Sequence, residues 1–195
     1  MLPAVWVIDD GSMDKSSELA RKAGATVLRF ERSRGKGAAL KAGWRAAWEG
    51  GIPWVLSMDG DGQHAPGDIS RFLTRAARGD VDLIVGNRMA QPTGMPWLRR
   101  SVNQWMSRKL SRAAGFPIPD SQCGFRMMRL EAWSRLELHT DHFEIESEVV
   151  LAFLKAGLNV DFVPIEVIYR EEESKIHPIR DTWRWFCWFW SGRRT

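Results

Sequence analysis

Short apolar runs alternate with helix-period stretches along the first half of the chain. Residues 4–8, Ala-Val-Trp-Val-Ile, read as a buried strand that ends at Asp9-Asp10-Gly11-Ser12. Ser12 or Asp14 can cap the helix that follows, whose apolar face includes Leu19, Ala20 and Ala23 and which stops at Gly24. A second strand covers 25–30, and Ser33-Arg34-Gly35-Lys36-Gly37 forms a loop before a helix over about 38–49. The run 54–58 is the next strand. Pro66 then starts a helix carrying Ile69, Phe72, Leu73 and Ala76, and 81–85 is another strand, ending in Gly86-Asn87-Arg88. Strand and helix alternating in this way predict a parallel sheet covered by helices on both faces, a three-layer α/β/α sandwich.

The second half is less regular. Residues 91–96 are a turn-rich connection, and 98–114 read as a helix with Arg99, Arg100, Arg108, Lys109 and Arg112 forming a basic face. A loop from Asp120 enters a short strand near Arg129, and 144–156 form a helix closed by Gly157. The strand over 160–169 is interrupted by Pro164, which lacks a ladder N–H and so places it at an edge or bulge. No repeat or low-complexity linker divides the chain, so 1–180 read as one domain and 181–195 as a separate tail.

Composition narrows the possibilities. At 195 residues, 44% hydrophobic and 27% charged, the chain has the make-up of a globular domain. The net charge of +4 suits an anionic partner such as a nucleotide, a lipid phosphate or a membrane face. Cys123 and Cys187 are too few for a disulfide framework and point to a reducing compartment. Residues 1–4 do not read as a leader, because a basic region is missing and Asp9-Asp10 arrives early. No apolar stretch reaches 18 residues. Eleven tryptophans stand against one tyrosine, and the tail Trp183-Arg184-Trp185-Phe186-Cys187-Trp188-Phe189-Trp190 concentrates them between arginines. Tryptophan favours membrane interfaces and arginine favours anionic headgroups, so the tail is expected to touch lipid rather than enter a core.

Candidate chemistry gathers at strand ends, where ligands of open α/β sheets bind. Asp59-Gly60-Asp61-Gly62-Gln63 supplies hard oxygen ligands suited to Mg²⁺ or Mn²⁺ carrying a phosphate. Its bland alternative is an acidic surface turn. Asp9 and Asp10 can accept from a nucleobase or ribose, or merely cap a turn. Gly35-Lys36-Gly37 allows close backbone approach to a nucleotide but lacks both common phosphate-loop spacings. Arg88 follows a strand directly. Arg126, in Asp120-Ser121-Gln122-Cys123-Gly124-Phe125-Arg126, suits bidentate phosphate binding. Cys123 reads as a small packed residue, and no CxxC or suitably spaced histidine points to zinc. Arg170-Glu171-Glu172-Glu173-Ser174-Lys175 reads by itself as a solvated charged loop.

In this order, these pieces resemble the family 2 glycosyltransferases of GT-A fold, and most of all the polyprenyl- or dolichyl-phosphate sugar synthases. The matching residues are Asp9 to Ser12, Gly35-Lys36-Gly37, Asp59 to Gln63, Gly86-Asn87-Arg88, Asp120 with Gly124-Phe125-Arg126, Glu144 and Glu146, and Arg170 with Ser174-Lys175. The resemblance implies a UDP- or GDP-sugar donor, a divalent metal (Mg²⁺ or Mn²⁺) on Asp59, Asp61 and Gln63, and inverting transfer of a hexose to polyprenyl phosphate. It implies that Asp9, Asp10, Gly35, Lys36, Asp59 and Arg88 bind the nucleotide sugar. Arg126, Arg170 and Lys175 would meet the acceptor phosphate, and Asp61, Arg126, Asp120 and Glu146 would form the catalytic set. Work at the cytoplasmic face of the membrane, in cell-envelope chemistry, follows from a lipid acceptor. No nucleic acid is expected as partner, and a homo-oligomer stays open. The alternatives are transfer to a saccharide or lipid hydroxyl with Asp120 or Glu146 as base, and a non-catalytic membrane-associated module. The family domain has one more strand–helix unit before the position of residue 5, so an N-terminally truncated domain with an opened nucleotide pocket is expected. Glu172-Glu173 also stands where the family often has glycine.

Overall fold

The structure, a computed structural model, describes residues 4–92, 94–168 and 178–191. Contacts divide the chain into two compact units. The first draws on Met1–Ile52, His139–Ile145 and Pro178–Thr195, the second on Pro53–Leu138 and Glu146–His177.

In the first unit, β1 (Trp6–Asp9) and β2 (Thr26–Arg29) pair in parallel, with Trp6 opposite Thr26 and Asp9 opposite Arg29. The connection between them is α1 (Ser16–Lys22). Helix α2 (Lys36–Glu49) packs against β1 through Gly43, where an added Cβ would lie 2.9 Å from Ile8 Cγ1. A larger residue there would push the helix from the strand. Trp44 and Ala47 bury the same helix's inner side. Helix α7 (Pro178–Ser191) belongs with this unit. Trp185 is 2% exposed and stacks on Phe189 at 5.1 Å, whereas Trp183 and Trp190 are exposed. The tail expected to lie only on lipid therefore buries one face in protein, because a helix divides its apolar residues between two sides that the linear run of tryptophans does not distinguish.

The second unit holds β3 (Trp54–Ser57), α3 (Ile69–Ala76), β4 (Leu83–Asn87), α4 (Trp97–Ala114), β5 (Arg126–Arg129), α5 (Leu130–Trp133), α6 (Ile145–Lys155, whose first residue falls in the other unit) and β6 (Val160–Pro164). Its sheet runs β3-β5-β4-β6. β4 and β6 are parallel, and β5 is antiparallel to both its neighbours. The α/β alternation holds, and β5 makes this sheet mixed. β6 is an edge strand, and the ladder closes where Pro164 meets Asn87, as the missing N–H of proline requires. Leu83, Ile84 and Val85 of β4 are fully buried with Phe72, Phe125, Met128 and Phe153. Leu73, one residue from Phe72, is exposed, because adjacent helical positions point about 100° apart. Among the described residues, β1 has β2 as its one strand partner and β3 has β5.

The turn after β1 is pinned by Asp9. Its carboxylate accepts from Ser12 N–H at 2.7 Å and from the Ser17 hydroxyl, with Arg29 Nε 3.8 Å away. The Ser17 hydrogen bond, opposed by burial and helped by Ser12 and Arg29, lowers the Asp9 carboxyl to about 2. A depressed carboxyl contributes stability above its unfolded value and loses it as pH falls. Asp9→Asn is therefore expected to cost about 1–2 kcal/mol at neutral pH. The gap from wild type should close between about pH 4 and pH 2, read from urea midpoints across that range.

Candidate functional site

The Asp59–Gln63 loop opens at the carboxyl end of β3, in the second unit. Asp61 is exposed, and its Oδ1 accepts from Gln63 N–H at 3.0 Å, which turns the loop back on itself. Asp59 N–H donates to His64 Nδ1 at 3.3 Å. His64 is buried and stacks on Phe125 with ring centroids 5.0 Å apart, and Phe125 meets Phe72 at 4.5 Å. His64 also bridges to Val167, and Ile168 N–H donates to Gln63 O at 2.9 Å. The loop is thus anchored on the aromatic core on one side and on the chain after β6 on the other.

Gly124 completes this anchor. A Cβ there would lie 2.5 Å from both carboxylate oxygens of Asp59. The glycine makes room for a charged side chain and does not serve a left-handed backbone. Neither the role of His64 nor this use of Gly124 is legible in the spacing. The one available signal is the glycine between Cys123 and Phe125. Asp59, Asp61 and Gln63 bring two carboxylates and an amide oxygen to one loop, a donor set that fits a hard divalent cation. Among the described residues no three His, Cys, Asp or Glu side chains cluster as a fuller metal centre.

Arg88 and Asp120 form a buried pair. Asp120 is fully buried, and its Oδ2 accepts from Arg88 N–H at 3.1 Å and Arg88 Nε at 2.8 Å. Its Oδ1 accepts from Arg88 Nη2 at 2.9 Å, Asn103 Nδ2 at 3.0 Å and Gln122 N–H at 3.1 Å. Burial would raise this carboxyl, yet the Arg88 charge and these donors hold it below the usual carboxylate range. A carboxylate stabilised in its charged form and saturated with donors is a poor proton acceptor. The geometry makes Asp120 the post of the 120–126 loop, with the Arg88 side chain as its partner.

Arg126, 1% exposed, starts β5. Its Nε donates to Cys123 O at 2.7 Å and its Nη2 meets Glu146 Oε2 at 2.6 Å. Its buried Nη1 has no hydrogen-bond partner among the described residues. Glu146 sits in the first turn of α6, where a negative charge is favoured, and faces Arg126. Gln122 Nε2 donates to Ser147 Oγ at 2.6 Å, tying the same loop to α6. Cys123 is fully buried, and burial pushes its thiol up to about 12, which disfavours the thiolate.

The remaining candidates lie in the first unit. Both oxygens of Asp9 serve the turn described above. Asp10 accepts from Ser33 Oγ at 2.7 Å, Arg34 N–H at 2.7 Å and Gly35 N–H at 3.0 Å, so it fastens β1 to the glycine loop. Gly35 has φ of 101°, and a Cβ there would strike Asp141 O and the His142 ring. Gly37 and Ala38 N–H donate to Asp141 O at 2.8 and 3.2 Å, capping α2. Lys36 Nζ lies 5.6 Å over the Phe143 ring, and Lys41 pairs with Asp141 at 2.8 Å. The space freed by the two glycines is thus taken by residues 140–142. The Arg170 and Lys175 assignments lie outside the described residues. No helix among the described residues is long and apolar enough to cross a membrane.

Residues 3–136 match the family described as Glycosyl transferase family 2. Glycosyltransferase AglJ of Haloferax volcanii is 34% identical over 91% of this chain and 58% of its own length. The UDP-N-acetylglucosamine–dolichyl-phosphate N-acetylglucosaminyltransferase of Methanococcus voltae is 27% identical over 86% of this chain and 75% of its own. The chain thus spans between about three fifths and three quarters of these two relatives. Among solved structures, glucosyl-3-phosphoglycerate synthase from Mycobacterium tuberculosis, in complex with Mn²⁺, UDP and phosphoglyceric acid, superposes with a TM-score of 0.67 at 18% identity, over 93% of this chain and 63% of that one. The chain belongs to glycosyl transferase family 2, and its α/β architecture is that of the GT-A fold.

Proposed function

We propose that this chain transfers a hexose from a UDP- or GDP-sugar to polyprenyl phosphate, with inversion, at the cytoplasmic face of a membrane. The observation that carries this reading is that one loop serves two tasks. Gly124 receives the Asp59 carboxylate, and two residues on, Arg126 keeps a buried N–H without a partner among the described residues. The dolichyl-phosphate relative supports the lipid-phosphate acceptor, and the exposed Trp183 and Trp190 support a membrane location.

Asp59, Asp61 and Gln63 would hold a divalent cation, which when bound offsets charge on the departing nucleoside diphosphate. His64 and Gly124 keep these ligands in place. Asp10 is the better nucleoside candidate of the aspartate pair, because it is less buried and its three bonds leave acceptor capacity. Arg126 would orient an acceptor phosphate with Arg170 and Lys175. A phosphate oxygen is already anionic, so it needs placement and charge stabilisation more than a base. The saturated state of Asp120 agrees with this.

Asp61→Asn is expected to lower metal-dependent transfer of labelled sugar to polyprenyl phosphate by roughly 10²–10³-fold with an unchanged circular dichroism spectrum. Unchanged turnover would remove the metal assignment. Gly124→Ala, by driving a methyl group into the Asp59 carboxylate, is expected to weaken Mn²⁺-dependent nucleotide binding in calorimetry more than it lowers the melting temperature. Asp120→Asn should cost about 3–5 kcal/mol in urea unfolding, since it leaves Arg88 buried and uncompensated. The pH–rate profile decides the acceptor class. A limb abolished by Glu146→Gln would replace the phosphate acceptor with a hydroxyl acceptor activated by that carboxylate.

A further inference from the structure

Among the described residues, helix α4 carries the most one-sided charge. Its 18 residues include Arg99, Arg100, Arg108, Lys109 and Arg112 and no acidic side chain. Those cations outnumber the +4 of the whole chain, so the remainder is slightly acidic. None of them is ion-paired among the described residues. At about 100° per residue, Trp97, Ser101, Trp105, Arg108 and Arg112 fall within a stripe about 80° wide, with Leu98 and Lys109 along its margin. Trp97 is 77% exposed, and Leu98 and Trp105 also face outward. Lys109 Nζ lies 5.8 Å over the Trp105 ring. The opposite side is buried through Asn103, Met106, Ser107 and Leu110.

We infer that this outward face of α4 docks on an anionic phospholipid bilayer. Charge complementarity selects the partner: a surface of phosphate headgroups attracts Arg108, Lys109 and Arg112, whereas a second copy would meet like charge. Two tryptophans and a leucine held among arginines match an interface that is apolar below and anionic above. The buried side of the same helix shows what docking achieves. Asn103 holds Asp120, and Ser107 Oγ accepts from Ser121 N–H at 3.0 Å. A lipid-bound α4 thereby fixes the loop that positions Arg126 relative to the bilayer. The docking stands on α4 alone, and its use in presenting that loop to a lipid phosphate rests on the proposed function.

The test is co-sedimentation of the full chain with phosphatidylcholine vesicles, with and without about one third phosphatidylglycerol. Binding is expected on the anionic vesicles alone and should be lost in high salt. Arg108→Glu/Lys109→Glu/Arg112→Glu should lower partitioning at least about a hundredfold, at about fivefold per cation removed. Trp97→Ala/Trp105→Ala should weaken vesicle binding while leaving retention on heparin unchanged. Trp183→Ser/Trp190→Ser should leave the salt-sensitive binding in place. Wild-type partitioning by a folded charge-reversal variant would overturn the inference. So would tighter binding to single-stranded DNA than to vesicles with equal loss in the Trp97/Trp105 variant, since that assigns the face to nucleic acid. Transfer to a short-chain, water-soluble prenyl phosphate should survive the charge reversal. Its absence in wild type would count against the proposed reaction and not against the docking.

Discussion

The second unit is organised around one buried carboxylate. Asp120 has no contact with solvent, so its charge persists only because five donors surround it. Those donors come from the end of β4, from the middle of α4 and from the loop itself. Each element is therefore held at a fixed distance from the same two oxygens. An uncompensated buried charge costs several kcal/mol, which makes this a strict geometric constraint and not a general attraction.

The candidate site inherits its precision from that constraint. Gln122 continues the loop from Asp120 to Ser147 of α6, and Arg126 continues it to Glu146. Between them Gly124 leaves room for the Asp59 carboxylate. A loop built from a saturated carboxylate, a missing side chain and a buried arginine cannot slide by a residue without breaking all three. His64 adds an apolar support from the other side, because its ring rests on Phe125 while its nitrogen accepts from Asp59. A donor loop so held pays little reorganisation when it meets charge.

The first unit uses its carboxylates differently. Asp9 and Asp10 stand side by side, yet one closes the turn of α1 and the other gathers the backbone of residues 33–35. Gly35 and Gly37 admit Asp141, whose carbonyl caps α2 and whose carboxylate meets Lys41. Glu144, in the same short segment, meets Arg184 of α7 at 3.3 Å. Residues 139–145 thus fasten α2 and α7 together, although they lie nearly a hundred positions from the first and some forty from the second.

Periodicity and turn chemistry were enough to place most helices and strands, because apolar spacing records which side of each element is buried. The order of the motifs was enough for the family, and Pro164 alone marked an edge strand. The partners of the charged residues were not legible. Arg88, Arg126, Asp10 and Asp120 look alike in sequence as candidates for substrate, and only folding shows which are spent on one another, since an ion pair forms between positions far apart in the chain. The antiparallel insertion of β5, the burial of Trp185 and the division into two units were likewise decided by tertiary packing. Composition names the chemistry a residue can do, whereas burial and partners determine whether that chemistry is still available.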